Sequence, residues 1–186
     1  MAGNLLGKIL TYGKYNTLSM LNVLLGALFT IYLGRKYGAS TETDLYFLSI
    51  VIVNYLGYFV QSVWEAMAPY YVDLKIKNLQ LRDKLYSIML NDLVLISSII
   101  VCGYFVITSI FDIISIEQKQ FLNVFIFYLV FQNILFLNKA VLNLEHFYAS
   151  FYIVDIIVYI MLFLTVYLFD EILYVAYSTI IGTLLS

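Results

Sequence analysis

The chain has 186 residues, of which 63% are hydrophobic and only 12% charged, whereas charged residues make up about a quarter of a soluble domain. With a mean hydropathy of +0.92 and a single proline, the composition is that of an integral membrane protein. The net charge of −2 says nothing about partners, because orientation in a bilayer follows where Lys and Arg stand. No nucleic-acid partner is expected. The 18 tyrosines and 14 phenylalanines suit a protein with many helix ends at the membrane interface, where a tyrosine keeps its hydroxyl wet and its ring buried.

Met1 to Tyr15 carries Lys8 and Lys14 among three glycines. It forms a mildly amphipathic lead able to lie along the cytoplasmic surface. The first apolar run, residues 16–33, follows two lysines as a signal peptide would. It lacks a small-x-small cleavage site and is followed by further spans, so it is read as a retained helix. A polar turn from Gly38 leads into the second span, residues 45–72. Within it Pro69 is expected to bend or end the helix. Residues 73–85 hold Lys75, Lys77, Arg82 and Lys84, the densest basic cluster, and are read as a cytoplasmic loop. The third, fourth and fifth spans are placed at residues 87–111, 121–142 and 147–169. Residues 172–186 are too few, at about 1.5 Å each, to cross a hydrocarbon core of about 30 Å. This run is read as a truncated sixth span. The expected fold is therefore all-α, a single polytopic bundle of five full spans and part of a sixth.

With the N-terminus inside, seven of the ten basic residues fall on cytoplasmic segments, and Arg35, Lys36 and Lys119 fall outside. The positive-inside rule thus puts the N-terminus in the cytoplasm. Asn22, Glu65, Asn91, Asp92, Asn138, Lys139 and Asp155 then all stand toward cytoplasmic ends of their spans. This gathering predicts a polar, wet vestibule in the inner half of the bundle.

Two spans carry polar stripes. Asn54, Tyr58, Gln61 and Glu65 recur at i, i+4, i+7, i+11 on the second span, opposite Ile52, Leu56, Phe59 and Val63. Gln132, Phe136, Lys139 and Asn143 repeat that spacing on the fourth. Such stripes must face protein or water, and with Glu65 on one and Lys139 on the other they suggest facing walls. Asp155 stands deeper, where a charge costs roughly 2.5 to 3.5 kcal/mol, and calls for a partner or a water-filled cavity. It is either a substrate or ion site or a structural pair with Lys139. Asp92 is read as a charge favourably placed at a helix start, and Cys102 as a buried structural thiol. His146, beside Glu145, is read as a solvated loop residue, with no second histidine or cysteine to complete a metal site. Gly34 and Gly38 match a small-xxx-small pairing pattern but enclose Arg35 and Lys36, and are read as terminating a helix. No phosphate-binding glycine loop and no nucleophile with a base is present. Neither an enzyme nor a cofactor is expected.

The residues Leu24-Leu25-Gly26, the run Gly38-Ala39-Ser40-Thr41-Glu42-Thr43-Asp44-Leu45-Tyr46-Phe47, and then Asn54 and Pro69, resemble the first two spans of the lipid II flippase and polysaccharide exporter families. These belong to the superfamily of multidrug, oligosaccharidyl-lipid and polysaccharide exporters. The resemblance covers residues 24–71, and the later spans are similar only in length and order. It implies one lobe of a two-lobed bundle in a bacterial inner membrane, with a lipid-linked sugar precursor held between the lobes as they rock. Where lipid II flippases carry an arginine followed by an acid, this chain has Phe29 and Thr30. Where they carry a basic pair, it has Gly57 and Tyr58. These departures point away from lipid II and toward a polysaccharide-type exporter. On this reading the substrate-binding residues are Asn54, Gln61, Glu65, Lys139 and Asp155, with Lys139 meeting a phosphate and the amides and acids meeting sugar hydroxyls or a coupling ion. The implied partners are membrane lipids, the lipid-linked sugar, and a second lobe or a second copy of the chain. The rival readings are a non-transporting assembly subunit and a drug-efflux half-transporter.

Overall fold

The computed structural model describes residues 2–111 and 114–185, with side chains from Asn16 onward apart from Tyr148 and Phe151. Six helices follow one another: α1 (Ala2–Tyr37), α2 (Thr41–Lys77), α3 (Leu79–Ile110), α4 (Ile116–Leu144), α5 (Tyr148–Leu168) and α6 (Ile172–Leu185). The described residues contain no strand. Asn16–Tyr37, α2, α3 and α4 are long and apolar enough to cross a membrane, while Tyr152–Leu168 and α6 are shorter apolar helices. The all-α bundle predicted from hydropathy is thus present, and four of its helices meet the length of a membrane crossing. The lead is continuous with the first span in α1; Lys8 and Lys14 lie outside the residues whose side chains are described.

The helix ends are set by local chemistry. Gly38, at φ +69, donates its N–H to the Gly34 carbonyl at 3.0 Å and closes α1 in the left-handed conformation that glycine adopts without strain. The pair Gly34 and Gly38 therefore ends a helix, as expected. Ser40 caps α2 by accepting from the Thr43 N–H at 3.2 Å, and Ser115 and Gln118 form a capping box at the start of α4.

Two expectations are corrected here. Pro69 does not end the helix, since it lies inside α2, which runs on to Lys77. Proline removes only the hydrogen bond to the Glu65 carbonyl, and both residues lie on the exposed side, where that carbonyl is not stranded. Residues 73–85 are not a loop, because α2 and α3 are separated by Asn78 alone. Its N–H donates to the Leu74 carbonyl at 2.8 Å and its Oδ1 accepts from the Leu81 N–H at 3.1 Å. One residue thus serves two helix ends, its backbone closing α2 and its side chain capping α3. With 37 residues, α2 is about 55 Å long and outruns a hydrocarbon core of about 30 Å. The basic residues Lys75 and Lys77 stand at this end of α2, and Arg82 and Lys84 at the adjoining start of α3.

α4 sits at the centre, packed on α2, α3, α5 and α6, while α1 packs chiefly on α5. Consecutive helices alternate in direction. One buried cluster, built around Leu33, Tyr46, Val53, Phe125, Leu129 and Val175, joins α1, α2, α4, α5 and α6 toward one end of the bundle. A second, around Val60, Trp64, Tyr71, Met89, Leu93 and Leu137, joins α2, α3 and α4 toward the other. Cys102 is exposed on the outer side of α3, contrary to its expected burial, since the packed face of that helix is set by Met89, Leu93, Ser97, Val101 and Thr108. Asp92, read as standing at a helix start, lies more than three turns into α3, because that helix begins at Leu79.

Candidate functional site: a polar cavity between α2, α4 and α5

A cavity of about 560 Å³ opens between α2, α4 and α5, lined by Gln61, Trp64 and Glu65 of α2, Tyr128, Gln132, Phe136, Lys139 and Asn143 of α4, and Asp155 of α5. The whole stripe predicted on the fourth span, Gln132, Phe136, Lys139 and Asn143, forms one wall. Four of the five residues singled out from sequence, Gln61, Glu65, Lys139 and Asp155, share this cavity. The fifth, Asn54, stands behind the wall and accepts a hydrogen bond from Gln132 Nε2 at 2.8 Å. The α2 stripe is only partly turned inward: Gln61 is buried, but Tyr58 is 66% exposed and faces away from the bundle.

The charges pair differently from the facing-wall expectation. Lys139 Nζ donates to both carboxylate oxygens of Asp155 at 2.7 Å, and Asn22 Nδ2 of α1 donates to Asp155 Oδ2 at 2.6 Å. Glu65 is exposed at the rim and has no cation within salt-bridge distance among the described residues. Lys139 is therefore neutralised by Asp155 and not by Glu65. With one ammonium against two carboxylates, the cavity wall carries a net negative charge.

Three of the amides around the site gather about Gly57. A Cβ at Gly57 would lie 3.6 Å from Gln132 Oε1 and Gln61 Nε2 and 3.7 Å from Asn133 Oδ1. These are ordinary van der Waals distances, and three amides from α2 and α4 surround the position. Asn133 in turn donates to Ser97 Oγ of α3 at 3.0 Å, and Asn138 accepts from the Tyr86 hydroxyl at 2.6 Å. These bonds tie α3 to the back of the wall. Asn91 and Asp92, expected at the vestibule, are instead exposed on α3.

A second space of about 360 Å³ lies farther along the bundle among Gly26, Phe29, Tyr46, Ile50, Leu162 and Thr179. Tyr128, Leu135 and Asp155 line both spaces. Tyr128 and Trp64 were not singled out from sequence. Asn22 was expected among the polar residues of the vestibule, but its bond to Asp155 was not anticipated.

Beyond the cavity, Glu145 in the α4–α5 turn gathers the helix overhang. Lys75 Nζ lies 2.9 Å from Glu145 Oε2 and donates to the Leu144 carbonyl at 3.1 Å. The Tyr71 hydroxyl donates to Glu145 Oε1 at 3.2 Å, and Arg82 Nη1 stands 3.3 Å from the same oxygen. The hydrogen bond from Lys75 is the main reason the Glu145 carboxyl is held below its usual range; burial opposes it, and Tyr71 and Arg82 add to it. His146 is exposed in the same turn, with a φ of 65. No group of three or more His, Cys, Asp or Glu side chains placed to hold a metal ion occurs among the described residues.

Comparison with family models, with curated proteins and with solved structures finds no match to this chain.

Proposed function

We propose that this chain is one lobe of a membrane transporter for an amphiphile with a sugar head. It resembles the flippases and exporters of lipid-linked oligosaccharides in a bacterial inner membrane. In this reading the chain crosses the membrane five times with a partial sixth crossing, and its N-terminus is cytoplasmic. The observation that carries the reading is the single cavity into which Gln61, Glu65, Gln132, Lys139, Asn143 and Asp155 converge within an otherwise apolar bundle. Amides and carboxylates offer both donors and acceptors, the complement that sugar hydroxyls need. Buried polar side chains in a membrane helix are costly and characteristically line substrate paths. A phosphate on such a ligand meets Lys139 only by taking it from Asp155.

The negative balance of the wall favours a second reading, efflux of an organic cation, with Glu65 at the rim as its first contact. Both are tested by equilibrium binding to the full chain in lipid nanodiscs. The probes are a fluorescent phosphate-linked oligosaccharide lipid, the same lipid without its sugar, and tetraphenylphosphonium. The proposal expects saturable binding of the first, weaker binding of the second, and a lower affinity for the first in folded Lys139→Ala and Gln61→Ala variants. Saturable binding of the phosphonium alone, lost in Glu65→Gln, transfers the site to the efflux reading. Binding of none of the probes overturns both and leaves a non-transporting subunit.

A further inference from the structure

At the end of the bundle where α1 finishes, two adjacent cations have different surroundings. Lys36 is fully engaged, donating to the carbonyls of Val166 and Phe169 at 2.6 Å each and standing 3.1 Å from Asp170. It straps the end of α1 to the end of α5. Arg35, one residue earlier, is exposed and has no acidic or carbonyl partner among the described residues. A groove of about 380 Å³ leads to it along the α1–α5 seam, lined by Leu28, Ile31, Tyr32 and Phe163, with Arg35 itself at its end. Leu28, Ile31, Tyr32 and Arg35 recur at i, i+3, i+4, i+7, so the groove follows one face of α1 for about 10 Å, parallel to the helix axis.

We infer that this groove binds an acidic phospholipid of the surrounding bilayer, its acyl chain along Leu28, Ile31 and Phe163 and its phosphate on the Arg35 guanidinium. The complementarity lies in the order of the groups. An apolar trough aligned with the helix matches an acyl chain aligned with the bilayer normal, and a planar, permanently charged fork at the interfacial end matches a phosphate. Lys36 cannot substitute, because its donors are spent on α5. The inference is independent of what the polar cavity carries.

The experiment is native mass spectrometry of the full chain released from nanodiscs containing equal phosphatidylglycerol and phosphatidylcholine. The expected result is preferential retention of phosphatidylglycerol, reduced about fivefold by Arg35→Gln, the factor that one basic side chain supplies at an anionic surface. It should also be reduced by Ile31→Trp, which fills the groove and leaves the charge in place. Lys119→Gln, at the same end of the bundle, should leave the preference unchanged. Equal retention of the two lipids overturns the inference. So does a loss in Lys119→Gln equal to that in Arg35→Gln, which would mark a general attraction of the basic end, or full retention in Ile31→Trp. Thermal unfolding of each variant in detergent confirms that loss of lipid is not loss of fold.

Discussion

The ammonium of Lys139 bonds to both carboxylate oxygens of Asp155, and the two residues belong to helices joined by the three-residue turn of Glu145, His146 and Phe147. Their side chains are 17% and 26% exposed, so each charge is partly shielded from solvent by the other. Breaking a fully buried pair from one side leaves an uncompensated charge and costs about 3 to 5 kcal/mol, an upper bound for this part-buried pair, whereas replacing both partners is often close to neutral. Lys139→Met should therefore lower the unfolding midpoint in detergent well below that of Lys139→Met/Asp155→Leu. Equal midpoints would mean that water already screens the pair.

The same pair makes an unusual prediction for binding. Because Asp155 holds Lys139, substituting Asp155→Asn removes the carboxylate that competes for the ammonium and keeps an acceptor for the amide of Asn22. Affinity for a phosphate-linked oligosaccharide lipid should rise several-fold, up to about tenfold for each 1.4 kcal/mol of competition removed. Titration of the fluorescent lipid into nanodiscs carrying either form provides the measurement. A weaker affinity in Asp155→Asn would make the carboxylate a direct contact and reverse the assigned roles.

The wall of α4 was legible because helical periodicity alone decides which residues share a face, and Gln132, Phe136, Lys139 and Asn143 needed nothing else. On α2 the same rule gathered Tyr58 with Asn54 and Gln61, yet Tyr58 faces outward. A stripe has width, and only the position of the neighbouring helices decides where its edge falls. The partner of Asp155 was narrowed to Lys139, but Asn22 stands 133 residues away on α1, and no local pattern reports such a contact. The basic segment after α2 misled for a different reason. Charge density marks solvent but does not distinguish a loop from a helix that has left the bilayer, and Asn78, able to cap both ends, was the overlooked sign. The glycine positions mattered in ways that hydropathy does not register.

One of these glycines, Gly26, leaves room on α1 for the Tyr159 ring of α5. A Cβ on Gly26 would stand 2.7 Å from the Tyr159 hydroxyl and 3.3 Å from the ring carbon that bears it. The ring must give way, and overpacking of this kind costs about 1 to 3 kcal/mol. Gly26→Ala should destabilise the chain by about that amount, read from denaturant or thermal unfolding in detergent. Adding Tyr159→Phe removes the nearest atom and should recover most of the loss. If the double variant is no better than Gly26→Ala, the helices are held apart by something other than this contact.

The charges around Glu145 bind the overhang of α2 and α3 to the α4–α5 turn, and their contribution has a definite pH dependence. The folded carboxyl lies below the ordinary glutamate value of 4.5, chiefly through the hydrogen bond from Lys75. A group whose folded pKa is depressed contributes stability that is fully present above its unfolded pKa and is lost as pH falls through the folded one. The contribution should therefore be constant near neutrality, begin to fall as the pH drops below 4.5, and vanish once the folded carboxyl is protonated. Glu145→Gln keeps the shape and removes the titration. Wild type should unfold at a higher temperature than Glu145→Gln at about pH 7, and the difference should shrink toward zero as the folded carboxyl becomes protonated in acid. A difference that persists unchanged at the acid end would mean that packing, and not the ion pairs with Lys75 and Arg82, holds the turn against the overhang.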